Sequence, residues 1–133
     1  MHEYILIFQN EGEMRIPIET EYRMPEDFIK KVSWSVWEMG VSYTKGHPAP
    51  FPDELPSRLI QLYTVEGETV LDPFGGTGTT MKVARNLKRN SFLYEINSEY
   101  IDLIKENVGW NSLDSDTRDK IQEIKIREKI CQS

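Results

Sequence analysis

Asp72-Pro73-Phe74-Gly75-Gly76-Thr77-Gly78-Thr79-Thr80 puts an acid, an aromatic ring and three glycines into one short stretch. Glycine allows the backbone to bend tightly and to approach a ligand closely, because no Cβ stands in the way. A second acid, Glu95, follows Asp72 by 23 positions. That is close to the roughly 20-residue gap that geometry sets between adjacent strand ends in a βαβ unit. Two acids placed so suit a ligand with a cationic end and a sugar: Asp72 faces the positive charge, and Glu95 accepts from both ribose hydroxyls. Upstream, His47-Pro48-Ala49-Pro50-Phe51-Pro52 forms a rigid extended segment, since each proline fixes φ, removes a donor and biases its predecessor toward extended geometry.

The elements that must position these residues follow from periodicity. Asp53 is expected to cap a helix with Leu55, Leu59, Leu62 and Tyr63 on its apolar face and Pro56 tolerated in its first turn. Gly67 ends that unit. Thr69 to Leu71 reads as a buried strand, and the glycine loop leads into a helix with Thr80, Val83, Ala84 and Leu87 on one face. A strand over Ser91 to Tyr94 follows, then Ser98 as N-cap of a helix with Ile101, Ile104 and Val108 inward. Strand, helix, strand, helix implies a parallel sheet with helices packed on it. Earlier, Glu3 to Phe8 reads as a buried strand. Gln9 to Gly46 reads as a variable, irregular region with a short helix from Pro25 through Lys31 and an aromatic patch of Trp34, Trp37 and Tyr43. The patch suits an ordinary core role, with base stacking as the alternative. In the tail, Ile121 and Ile124 sit at helical spacing among alternating charges, which suits a solvated helix or, alternatively, a partner-binding one.

Three ligand classes compete for a glycine-rich strand-to-helix loop. A P-loop needs lysine after its last glycine, and here Thr79 and Thr80 follow Gly78. A dinucleotide fingerprint needs a third glycine after Gly76-x-Gly78, where Met81 stands instead. S-adenosylmethionine carries no pyrophosphate but has an ammonium, a sulfonium and a ribose, and it matches the two acids best.

Composition narrows the class further. The chain has 133 residues and a formal net charge of −6, with 38% hydrophobic and 29% charged residues, enough for one soluble domain. The longest apolar run, Tyr4 to Phe8, is far short of the ~20 residues of a membrane span. No membrane partner is expected, and a cytoplasmic location is. One cysteine, Cys131, and two histidines, His2 and His47, leave no disulfide framework and no metal site. An acidic chain is a poor nucleic-acid binder by itself, because grip on phosphate comes from clustered Lys and Arg.

Taken together, these stretches resemble the DNA amino-methyltransferases that modify N6 of adenine or N4 of cytosine, in the permuted order called the β class. His47-Pro48-Ala49-Pro50-Phe51-Pro52-Asp53-Glu54-Leu55 resembles the segment beside the methionine end of the cofactor. Val70 to Thr80 resembles the cofactor loop, and Tyr94-Glu95-Ile96-Asn97-Ser98-Glu99-Tyr100 the ribose-binding strand end. The likeness spans about His47 to Val108, and His2 to Phe8 resembles the strand before the variable region. It implies a Rossmann-like α/β fold with a mainly parallel sheet and S-adenosylmethionine as cofactor. It assigns the cofactor site to His47, Pro48, Ala49, Phe51, Pro52, Asp72, Pro73, Phe74, Gly75, Gly76, Gly78, Thr79, Glu95, Ile96 and Asn97.

One departure carries weight. The family's chemistry rests on an Asp/Asn/Ser-Pro-Pro-aromatic motif, and this sequence has no Pro-Pro dipeptide. That motif holds the target amino group toward the methyl and stacks on the flipped base, so no catalytic residue is assigned. The expectation is a single partial domain over 1–133: a variable region over 9–46 that is the candidate for DNA recognition, a cofactor-binding core over 47–108 and a charged helix over 109–133. Such a chain is the C-terminal, cofactor-binding half of a site-specific DNA methyltransferase, of a restriction-modification or orphan system. It would meet double-stranded DNA through the complete enzyme, with a second chain carrying the missing half, or as a homodimer. The alternative is a non-catalytic remnant or an interaction protein.

Overall fold

A computed structural model of the chain describes residues 3–12, 24–40 and 51–112. Its elements run α1 (Glu26–Val32), α2 (Glu54–Tyr63), β1 (Thr69–Asp72), α3 (Thr79–Asn86), β2 (Asn90–Leu93) and α4 (Ile101–Asn107). Short 3-10 turns precede and follow α4, at Ser98–Tyr100 and Trp110–Ser112. The strands pair in parallel, Thr69 with Asn90 through Asp72 with Leu93, and α3 is their crossover. This is the βαβ unit that the alternation of patterns implies, because parallel neighbours require a long connection.

Its core is small. Ile60 of α2 meets Val83 and Ala84 of α3, with Val70 and Leu87 packed against them. On α4, Ile104 and Val108 are buried, as the sequence pattern predicts. Arg89 joins the end of α2 to the start of β2: its Nε donates to Thr64 Oγ1 at 3.1 Å and one terminal nitrogen to the Thr64 carbonyl at 2.8 Å. Gly67, at φ 84°, makes the intervening turn and donates its N–H to the Lys88 carbonyl at 2.9 Å.

Four local expectations change. Glu3 to Phe8 forms no strand, and Tyr4 to Phe8 are exposed. An apolar run becomes a strand only against an edge, and no described strand pairs with it. Thr69 to Leu71 is a strand, but an alternating one: Thr69 and Leu71 are exposed while Val70 and Asp72 are half-buried. On α2 the buried residues are Pro56, Arg58 and Ile60, whereas Leu55, Leu59 and Leu62 are half-buried and Tyr63 is exposed. That helix meets Val83 and Ala84 of α3 through Ile60, so the apolar stripe read from spacing lies rotated from the contact. Both predicted caps are replaced too. Asp53 makes no side-chain cap and instead pairs with Lys82 at 2.5 Å. Ahead of α4 the capping oxygen belongs to Asn97, which accepts from the Glu99 N–H at 3.0 Å. Tyr43 and the predicted tail helix of 113–133 lie outside the described residues.

Candidate functional site

The loop after β1 is shaped from within. The Asp72 carboxylate accepts the Phe74 N–H at 3.0 Å, closing a tight turn at the strand end. Gly75 N–H donates to the Tyr94 carbonyl at 2.9 Å, and Gly78 N–H to the Gly75 carbonyl at 2.8 Å. Gly76, at φ 51°, and Gly78, at φ 84°, take left-handed conformations that side chains resist. Gly75 needs glycine for a different reason: a Cβ there would stand 2.0 Å from Leu93 Cγ. The Asn107 side-chain amide donates to the Thr77 carbonyl at 2.8 Å, tying α4 to the loop, and Thr77 itself is buried.

Glu95 closes this arrangement from the next strand. One carboxylate oxygen accepts the Gly76 N–H and the other the Asn97 N–H, both at 2.7 Å. The Tyr94 N–H donates to the Asp72 carbonyl at 2.9 Å, so the two acids stand on adjacent chain segments at the carboxyl ends of β1 and β2. In open α/β sheets this is the edge at which ligands bind. A carboxylate has about four acceptor sites; after two backbone bonds Glu95 retains acceptor capacity for a pair of hydroxyls. The amides of Gly75, Gly76 and Gly78 all point to partners inside the protein, so these groups do not form a phosphate nest. Phe74 is 88% exposed, its ring standing clear of the loop.

The remaining predicted site residues divide by place. Pro73 and Ile96 are exposed, and Thr79 and Asn97 are half-buried beside the loop and the Glu95 turn. Phe51 is exposed and Pro52 half-buried where they lead into α2, and the Asp53–Lys82 pair anchors that entry to α3, the helix that the loop opens. His47, Pro48 and Ala49 lie outside the described residues. Reading the sequence missed Arg58, which is only 5% exposed. It lies under the Trp37 ring at 5.1 Å from the centroid and donates to Glu54 at 2.7 Å. Lys31 pairs with the same Glu54 oxygen at 2.5 Å. The Lys31 and Arg58 hydrogen bonds hold the Glu54 carboxyl below its ordinary value of 4.5. An Arg four positions after a Glu was the available signal; nothing in spacing announced Trp37 as its cover.

A parallel βαβ unit with an acid at each strand end and a self-braced glycine loop defines a partial Rossmann-like fold of the S-adenosylmethionine-dependent methyltransferase type. The chain belongs to the DNA methylase family of N6 and N4 amino-methyltransferases, whose family model matches residues 1–106. It is 40% identical over 117 residues to the type II methyltransferase M.MjaI of Methanocaldococcus jannaschii, covering 80% of this chain and 38% of that protein. It is 39% identical over 122 residues to M.MthZI of Methanothermobacter thermautotrophicus, covering 81% and 34%. Among solved structures it superposes on a Thermus thermophilus protein assigned as a DNA modification methylase and complexed with S-adenosyl-L-methionine. That match has a TM-score of 0.60 and 32% identity, over 74% of this chain and 39% of the other. The chain thus spans about two fifths or less of the relatives it matches. Among the described residues no helix is long and apolar enough to cross a membrane, and no group of three metal-ligating side chains occurs.

Proposed function

We propose that this chain is the cofactor-binding portion of a DNA amino-methyltransferase and holds S-adenosylmethionine at the carboxyl ends of β1 and β2. The observation that carries the reading is the Glu95 carboxylate, fixed by the Gly76 and Asn97 amides at 2.7 Å each and one strand away from Asp72. The donor set fits the ligand. Two acids favour a cationic, diol-bearing molecule, and the inward loop amides disfavour a polyphosphate.

In this arrangement Glu95 accepts the ribose hydroxyls, with Ile96 and Asn97 flanking them. Asp72 faces the ammonium, Phe74 and Pro73 offer apolar surface at the lip, and Gly75, Gly76, Gly78 and Thr79 let the backbone approach. The segment of His47, Pro48, Ala49, Phe51 and Pro52 lines the methionine end, with Asp53 and Lys82 fastening it to α3. When bound, the cofactor supplies an electrophilic methyl on sulfur to an exocyclic amino group of adenine or cytosine. This chain's residues bind and orient; the group that aligns the amino nitrogen belongs to the Pro-Pro-aromatic motif that the sequence lacks. A second chain carrying that motif completes the enzyme and its contacts with duplex DNA. The domain then divides as read from sequence: a variable region over 9–46, the cofactor core over 47–108 and a charged segment over 109–133.

The test is calorimetric titration of the folded chain with S-adenosylmethionine beside an Asp72→Ala, Glu95→Ala double variant. Saturable binding that the variant loses is expected. Equal binding by both would overturn the assignment.

A further inference from the structure

The glycine loop is held from two directions. From the end of β2, Glu95 accepts the Gly76 N–H on one carboxylate oxygen and the Asn97 N–H on the other. Asn97 in turn accepts the Glu99 N–H and so starts the turn that leads into α4. At the far end of α4 the Asn107 side-chain amide comes back to the loop, across 30 positions of sequence, and donates to the Thr77 carbonyl at 2.8 Å. Thr77 is only 3% exposed, and a backbone carbonyl shielded from water is costly to leave unpaired. Beside it α4 also fills the space over Gly78, where a Cβ would stand 3.3 Å from Ile104 Cγ2 and 3.5 Å from Ile104 Cα. Ile104 and Asn107 are three positions apart and share one helix face, so an apolar contact and a hydrogen bond grip consecutive loop residues together. The contacts form a closed ring from Gly76 through Thr77, Asn107, α4, Asn97 and Glu95 back to Gly76.

We propose that Asn107 is a positioning residue for the cofactor site. By fixing the Thr77 carbonyl it sets where the neighbouring Gly76 N–H stands against Glu95, and so how that carboxylate presents its remaining acceptor positions to a ribose diol. The inference rests on the cofactor site proposed above and deepens it, because Asn107 acts through Glu95 and not on the ligand. The loop needs such a hold. Gly76 lies in the left-handed region at φ 51°, and glycine's own backbone preferences fix that conformation weakly. A carboxylate already seated on two amides needs no ordering when its ligand arrives, and it loses that advantage once the Gly76 amide is free to shift.

The test compares S-adenosylmethionine with its 2′,3′-dideoxy analogue, which lacks both hydroxyls, by calorimetric titration of wild type, Asn107→Leu and Asn107→Gln. Asn107→Leu keeps the side chain's size and removes its donor; Asn107→Gln restores an amide one carbon further out. The leucine variant should bind S-adenosylmethionine about tenfold more weakly, the scale of losing one buried hydrogen bond. Its weaker affinity for the dideoxy analogue should match that of wild type, and the glutamine variant should recover part of the loss. A merely structural role would lower the melting temperature and move both ligands alike, or neither. Amide hydrogen exchange gives a readout without ligand. In the free chain the Gly76 N–H should exchange about tenfold faster in Asn107→Leu, while the Leu87 N–H, bonded to the Val83 carbonyl in α3, keeps its wild-type rate. Circular dichroism checks each fold, and Asn107→Ser, too short to reach Thr77, replaces the leucine variant if that one deranges α4. Unchanged S-adenosylmethionine affinity, equal weakening of both ligands or unchanged Gly76 exchange would each overturn the inference. A wild-type chain that ignores S-adenosylmethionine, but whose Gly76 exchange still depends on Asn107, would overturn the cofactor assignment and uphold Asn107 as the residue that sets Glu95.

Discussion

Gly75 shows how a single hydrogen atom sets the site. Its missing Cβ makes room for Leu93, whose Cγ, Cδ1 and Cδ2 all lie within 2.6 Å of where that carbon would stand. Gly75→Ala must therefore push Leu93 out of the space beside the loop, an overpacking cost of about 1–3 kcal/mol. Urea unfolding should record that loss. Leu93→Ala in the same background should recover part of it, because the two residues share one space. Glu95 gives a second case with a different readout. Glu95→Gln keeps one acceptor oxygen but removes the charge, and the side-chain NH2 now opposes a backbone N–H. S-adenosylmethionine affinity should fall about tenfold or more, the scale of losing a hydrogen bond to a charged group. Far-ultraviolet circular dichroism should remain unchanged; a loss of helix signal would mean that the residue is needed for folding rather than binding.

At the scale of elements, α1 is held to α2 through Glu54, which receives Lys31 and Arg58 on one oxygen at 2.5 and 2.7 Å. Because its folded carboxyl lies below the ordinary 4.5, the native chain binds fewer protons there than the unfolded one. This contribution is present above that ordinary value and is lost as pH falls through the lower folded value. Melting temperatures of wild type and Glu54→Gln should therefore differ at neutral pH and converge as the pH falls through the lowered folded value. The size of the gap will be modest, since the Glu54 side chain is 35% exposed and screened by solvent. This bridge was not legible in the sequence, because it joins segments separated by an irregular stretch with no periodicity. The βαβα order and the loop were legible, since glycine placement and a 3.6-residue repeat are local signals. The same local signals mislead at Glu3 to Phe8, where β-prone composition has no strand partner among the described residues, and on α2, where the contact with α3 runs through Ile60. Asn97 replaces Ser98 as cap for a similar reason: both side chains can cap, and the turn that places Glu95 on two amides also brings Asn97 into position. Glu95 itself reads from sequence as a ribose acceptor; its bonds to Gly76 and Asn97 give it a second task, bracing the loop, that only the fold reveals.

Considered whole, the described part of the molecule buries few apolar side chains, chiefly Ile60, Val83, Ala84, Ile104 and Val108, and leaves Leu71 and Phe92, paired in register, exposed on one sheet face. Its acidity and the absence of a Pro-Pro dipeptide point the same way. Holding a methyl donor and reacting it are separable tasks: the first needs the strand-end acids, whereas the second needs a group that fixes the amino nitrogen within reach of the methyl. With duplex DNA and labelled S-adenosylmethionine, the chain alone should transfer no methyl above background, although it binds the cofactor. Adding salt should not change that outcome, because the deficit is one of missing groups rather than of weak phosphate contact. Supplying the complementary portion of the domain should bring transfer and, with it, salt-sensitive DNA binding, since the cations that release counterions would arrive on the partner. Transfer by the chain alone would place the catalytic group within these 133 residues and overturn the division of labour between two polypeptides.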